Sequence, residues 1–155
     1  MHKTGHHIHT IRHIRHLWPV FIALAFVLFP FDWLEHIWPL YGRIFDVVFA
    51  TVLAHHIGHS TLFFLASFPI LLAFPGLLQH PLRYLTLMLL LAVGEEALQS
   101  LFKQHLPNIG DTRDLLFDLL GTTIAYIVMR SWMWFYRTRI KIAREGTSGV
   151  SQKED

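Results

Sequence analysis

The chain contains no cysteine. Disulfides, thiolate metal ligands and a cysteine nucleophile are therefore excluded. Charge is also scarce, at 15% of 155 residues, against about 25% in an ordinary soluble domain. The formal net charge of +2 is too small to indicate a nucleic-acid partner, which would be held by many phosphate contacts. No GxGxxG turn, P-loop, GxSxG nucleophile elbow or HExxH pair occurs, so no cofactor is indicated by motif. An internal repeat or paired broken helices would suggest a transporter, and neither is seen.

What the chain does contain is apolar. Hydrophobic residues make up 53%, phenylalanine alone supplies 13 residues, and the mean hydropathy is +0.40. Runs such as TLFFLASFPILLAFPGLL place apolar side chains all around a helix and leave no face for water. The reading is a single all-α domain, a polytopic membrane helical bundle of about four transmembrane helices. The first span is expected from Leu17 to Phe31, roughly 22 Å if helical. A cleaved signal peptide is the rival there, but Ala23-Leu24-Ala25 falls in the middle of the apolar run, so a retained anchor is preferred. Residues 32–54 suit an outer loop followed by an interfacial helix or an extension of the next span. Arg43 and Asp46 are three apart there, an exposed pair worth only about 0.5 kcal/mol. The second span is expected over Gly58 to Gly76, with Pro69 as a tolerated kink. The third runs from Arg83 to Lys103, and the fourth from Thr112 to between Arg130 and Trp134. Residues 1–16 form a basic, histidine-rich tail, 17–136 the transmembrane domain, and 137–155 a basic and then polar tail without packed structure.

Basic residues lie at the ends of the apolar runs. Lys3, Arg12 and Arg15 precede the first, Arg83 separates the second from the third, and Arg130, Arg137, Arg139, Lys141, Arg144 and Lys153 follow the last. The positive-inside rule places these segments and both termini in the cytoplasm, as expected of a multi-pass protein of the cytoplasmic (inner) membrane. Trp18, Trp132 and Trp134 then fall at the inner interface, and Trp33 and Trp38 at the outer one. The first 16 residues hold six of the twelve histidines. Attraction of this basic segment to anionic lipid headgroups is preferred over loose metal chelation.

Against this background the segment GEEALQSLFKQHLPNIGDTRDLLFDLLG is anomalous, because it carries Glu95, Glu96, Gln99, Asp114 and Asp118 into the facing ends of two apolar stretches. Ionisable groups inside a membrane default to a functional hypothesis. Glu96 and Gln99 are three apart and share a helix face, while Glu95 points about 100° away. Lys103 and Arg113 are the nearest cations, and Asp111 or Thr112 suits a helix cap. Asp114, Asp118 and Gly121 form one stripe. Upstream, AHHIGHS supplies His55, His56 and His59, which the topology puts on the same outer side. His55 and His59 are four apart and are weak candidates to share a metal with Asp114 or Glu96; ordinary interfacial histidines are preferred.

Together these elements resemble the VanZ-like family of small bacterial integral membrane proteins. Its pattern has a histidine opening one helix, a glutamate and glutamine three apart ending the next, and an Asp-x3-Asn-x2-Gly stripe starting the last. His59, Glu96 and Gln99, and Asp114 and Gly121 occupy those places, and the likeness covers residues 52–130. Asp118 stands where the family has asparagine, Arg113 adjoins Asp114 instead of preceding it by several residues, and His56 takes the place of a common lysine. The resemblance implies that Glu96 is the inward glutamate and that His59, Glu96, Gln99, Arg113, Asp114 and Asp118 form one polar cluster. It also implies a cell-envelope role linked to resistance to teicoplanin-type glycopeptides.

Two further functions stay open. One is a membrane-embedded acid/base or metal-assisted enzyme acting on an outer-leaflet lipid or lipid-linked precursor, with Glu96 or Asp114 as base and His59 as acid or ligand. The other is a structural or accessory subunit whose polar cluster fastens helices or meets another membrane protein. Expected partners are membrane lipids, a lipid-linked envelope precursor or another membrane protein; a small bundle also suits homo-oligomerisation.

Overall fold

The computed structural model describes the backbone of residues 17–29, 31–103 and 109–151, and their side chains except at 32, 35, 36, 103 and 141–151. The N-terminal tail and the Lys103 side chain lie outside the described residues. Those residues form α1 (Leu17–Val27), α2 (Phe31–Ile37), α3 (Pro39–Val48), α4 (Val52–Ala73), a 3-10 turn (Pro75–Gln79), α5 (Pro81–Lys103) and α6 (Ile109–Ser151). Three apolar segments are long enough to cross a bilayer: Val52–Ala73, Pro81–Phe102 and Ile109–Ile140. The 22 residues of α4 extend about 33 Å, matching a hydrocarbon core of about 30 Å. These three helices have the composition of a membrane protein.

Three boundaries differ from the sequence expectations. The run expected as a first span is divided: α1 stops at Val27 and α2 starts at Phe31, so α1 alone reaches only about 16 Å. The second helix starts six residues before Gly58, because the Thr51 hydroxyl accepts a hydrogen bond from the Ala54 amide at 3.1 Å and satisfies an otherwise free donor. His55, His56 and His59 are consequently inside α4 and not ahead of it. The third difference is in α6, whose 43 residues continue past Arg137 without a break. No proline interrupts Ile109–Ser151, and RTRIKIARE consists mostly of good helix formers. This helix also includes Asp111 in its first turn, where a negative charge favours the helix dipole, so neither Asp111 nor Thr112 is the cap.

Pro69 does not end α4, which continues to Ala73. A missing donor within a membrane helix is tolerated when neighbouring groups compensate. At this end of the bundle Tyr126 donates to the Leu78 carbonyl at 2.7 Å and receives Arg130 Nη1 at 3.0 Å, while Tyr84 donates to the Thr122 carbonyl at 3.2 Å. These bonds tie the turn and α5 to α6.

The most extensive helix contact is between α4 and α6, and α5 packs against α6 from another side. The shared core includes Phe63 and Ile70 of α4, Tyr84 and Met88 of α5, and Tyr126 and Met129 of α6. Large apolar residues elsewhere face outward; Leu72 is 68% and Leu82 78% exposed, as lipid contact requires. In lipid, apolar burial provides no net attraction between helices, and close backbone approach at small residues takes its place. Gly121 provides that approach: a β-carbon there would overlap the Ser60 carbonyl of α4.

Gly121→Val is therefore expected to destabilise the bundle by about 1–3 kcal/mol. Gly94→Ala, where an added β-carbon meets nothing within 4 Å, should be neutral or stabilising by up to about 1 kcal/mol. Thermal unfolding of both variants in detergent checks this; equal behaviour would remove the close approach at Gly121 as a determinant.

Candidate functional site

The close contact at Gly121 brings one face of α4 against the first turns of α6. His55 and His56 each lie at a helical spacing from His59, four and three residues on, and Asp114 and Asp118 lie opposite at spacing four. His56 donates from Nδ1 to Asp114 Oδ1 at 2.7 Å, and its ring stacks on Phe117 with centroids 4.5 Å apart and planes at 4°. His55 Nε2 approaches the other Asp114 oxygen at 3.6 Å. One turn deeper, His59 donates from Nδ1 to Asp118 Oδ1 at 3.0 Å. Two rungs of histidine and aspartate thus join the helices.

From α5, both glutamates reach the lower rung. Glu95 Oε2 lies 3.9 Å and Glu96 Oε1 4.0 Å from His59 Nδ1. Gln99 donates from Nε2 to Glu95 Oε1. The expectation that Glu96 is the inward glutamate is corrected: Glu95 is only 5% exposed and stands beside Glu96 at the centre. The reason is helical geometry, since a separation of four residues leaves an angular offset of about 40° and a separation of three about 60°. Glu95 and Gln99 are thus the better aligned pair, a signal present in the sequence that the family pattern concealed.

Arg113 is exposed and does not join the centre, whose ion pairs are made by histidines. It precedes Asp114 by one residue and is turned about 100° away on the helix. Sequence reasoning also gave no role to Phe117, whose position three after Asp114 places it under the His56 ring.

Burial makes this centre costly. Asp118 is fully buried and His59 is 7% exposed. Glu95 Oε2, Glu96 Oε1, Asp118 Oδ2 and Thr122 Oγ1 are buried without a hydrogen-bond partner among the described residues. A buried polar group without a partner costs about 1–3 kcal/mol, and more if charged. Two sets of side chains have the spacing to hold a metal ion: His55, His59 and Asp114, and His59, Glu95, Glu96 and Asp118, each with its donor atoms within 4.8 Å of one another.

Beside the centre lies a cavity of about 570 Å³, within the range of small-molecule sites. Its wall is largely apolar, formed in part by Phe26, Phe45, Leu62 and Leu65, while His55, His59, Glu95 and Gln99 contribute its polar groups. Tyr41, Phe45 and Phe49 pack in succession, with centroids 5.7 and 4.6 Å apart, and Phe49 meets His55 edge-on at 6.2 Å. An aromatic ladder thereby connects α3 to the polar end of the cavity. Comparison with protein-family models, curated proteins and solved structures gives no match.

Asp114→Ala is expected to lower stability by about 1–3 kcal/mol, because it leaves the buried His56 nitrogen unpaired. Arg113→Ala, at an exposed position, should stay within about 0.5 kcal/mol. Unfolding monitored by circular dichroism checks the contrast, and an equal loss in both variants would place Arg113 back in the cluster.

Proposed function

We propose that this chain is an integral membrane protein that binds an amphiphile, a lipid or lipid-linked envelope precursor, in the cavity and performs acid–base chemistry on its headgroup. The observation that carries this reading is that His59 and Glu95, both buried, also line the apolar cavity. An acyl or isoprenoid chain suits the Phe and Leu wall, and a polar headgroup suits the imidazole and carboxylate end. Glu95 accepts a proton from the bound headgroup or from water, and His59, held by Asp118, returns one to the leaving group. Positioned general acid–base pairs contribute about 10²–10⁴-fold to rate. Asp114 takes no part in this chemistry, since it is occupied by His56.

The resemblance to the VanZ-like family sets the biological context: the bacterial cytoplasmic membrane, a role in the cell envelope, and an effect on sensitivity to teicoplanin-type glycopeptides. In this reading both termini are cytoplasmic and the divided run of α1 and α2 together makes a fourth crossing, supported by the basic residues flanking the apolar runs.

A second reading, a structural or accessory subunit, is favoured by one contact. The His56–Asp114 rung with its Phe117 stack is separate from the cavity lining and fastens α4 to α6. The two readings assign different residues. Bracing belongs to His56, Asp114 and Phe117, and chemistry to His59, Glu95 and Asp118.

Purified protein reconstituted with envelope lipids should turn over a component of that mixture. Glu95→Gln should reduce the rate by at least ~100-fold while the fold is retained. Leu62→Trp, which fills the cavity without touching a polar group, should raise KM or abolish binding. Unchanged turnover in Glu95→Gln, or none in the parent protein, excludes the enzymatic reading. Independently, deleting the gene should change sensitivity to glycopeptides; unchanged sensitivity across glycopeptides and lipopeptides excludes the envelope role.

A further inference from the structure

The carboxylates around His59 pose a charge problem that hydrogen bonding within the described residues does not solve. Ionised, Glu95, Glu96 and Asp118 bring three negative charges within 4.0 Å of one imidazole nitrogen. A protonated imidazole would offset only one of them. Glu95 and Asp118 are 5% and 0% exposed, and each directs an unpartnered oxygen into the protein interior, as does Glu96. Groups so removed from water either take up a proton and become neutral or, if they stay charged, require a paired charge or a coordinated ion.

We propose that His59, Glu95, Glu96 and Asp118 form a binding site for a divalent first-row transition-metal ion of the zinc class. Four residues from three helices each offer a donor atom, and all four atoms fall within 4.8 Å of one another. In a tetrahedral zinc site with bonds of about 2.0–2.1 Å, ligand atoms are separated by about 3.3 Å. The separations from His59 Nδ1 are 3.0, 3.9 and 4.0 Å, so they bracket that value, and inward rotation of the two glutamate side chains by about 0.7 Å or more closes the shell. A divalent ion displaces the proton that His59 Nδ1 shares with Asp118, the neutral ring keeping its proton on Nε2, and reduces the charge of the cluster from −3 to −1. The donor set also defines the class of ion, since an imidazole nitrogen among carboxylates favours zinc, manganese or iron over magnesium and calcium.

The neighbouring set of His55, His59 and Asp114 is the weaker candidate. Asp114 is already engaged by His56 at 2.7 Å and His55 at 3.6 Å, and it has no orphaned oxygen. Gln99 acts on the proposed site as a positioning residue, because its bond to Glu95 Oε1 fixes the carboxylate and leaves Oε2 directed towards His59. This inference rests on the donor geometry and does not require the amphiphile reading.

The test uses the full-length protein in detergent, with the six histidines of residues 1–16 replaced by alanine so that the tail does not bind the probe. Chelator-treated protein is titrated with Co²⁺ and then Zn²⁺, following visible absorption, bound metal by mass spectrometry and the melting temperature. About one equivalent should bind and raise the Tm, as expected when an ion binds the folded state alone. Glu95→Gln and Asp118→Asn should each weaken binding by at least ~100-fold, and Gln99→Ala, which removes an outer-shell partner, by about tenfold. Asp114→Asn, outside the set, should bind normally. The proposal is overturned if folded parent protein takes up no ion at millimolar Co²⁺ or Zn²⁺, or if Glu95→Gln and Asp118→Asn bind as the parent does. The outcomes separate the two proposals. Protein that takes up no ion yet turns over lipid removes the ion and leaves the acid–base site, whereas a metal-binding protein without lipid turnover removes the activity and leaves the ion.

Discussion

The contact between His59 of α4 and Asp118 of α6 is the interaction on which the remaining structure depends. It forms because Gly121, three residues beyond Asp118, lets the two backbones approach to a distance that any side chain would prevent. A membrane offers little hydrophobic reward for helix association, so such an approach has to be stabilised by packing and by polar contacts. The second rung, His56 on Asp114 with Phe117 beneath it, repeats the same solution one turn away. With α4 and α6 joined in this way, α5 inserts Glu95 and Glu96 into a space already occupied by an imidazole and a carboxylate.

That insertion goes beyond what a clamp of two rungs contains. Two histidine–aspartate rungs alone would leave a single orphaned oxygen, Asp118 Oδ2. The addition of two glutamates produces orphaned oxygens in a buried region, an arrangement that costs stability and gains nothing in helix packing. Its position beside an apolar cavity gives the excess a chemical meaning, because polar groups at the end of a greasy pocket are suited to a molecule with both characters. The Tyr41–Phe45–Phe49 ladder runs from the cavity wall along α3, whose Leu40, Ile44 and Val47 are exposed.

Several of these features were legible in the sequence. The three long apolar helices followed from hydropathy and length, since a segment without a polar face has no stable alternative to burial or lipid. The anomalous acids of residues 95–118 stood out for the same reason, and the helical spacing of Asp114, Asp118 and Gly121 placed them on one stripe. His59 was found through its position at the expected start of a helix. Errors arose where neighbouring residues compete for a face. Glu95 and Glu96 are adjacent, and the family pattern admitted Glu96 alone where both reach the centre. Arg113 was carried over from the basic position of the family pattern despite adjoining Asp114, and adjacent residues on a helix diverge by about 100°.

The sequence by itself determined that the chain is helical and apolar and that its acids lie at the ends of two long helices, because these are consequences of composition and of the 3.6-residue period. Tertiary structure alone decided which histidine meets which carboxylate. His56 with Asp114 and His59 with Asp118 are separated by 58 and 59 residues, and their pairing is set by the rotation and depth of α4 against α6. That register depends on where Gly121 meets Ser60, a contact between helices that the periodicity of neither helix specifies.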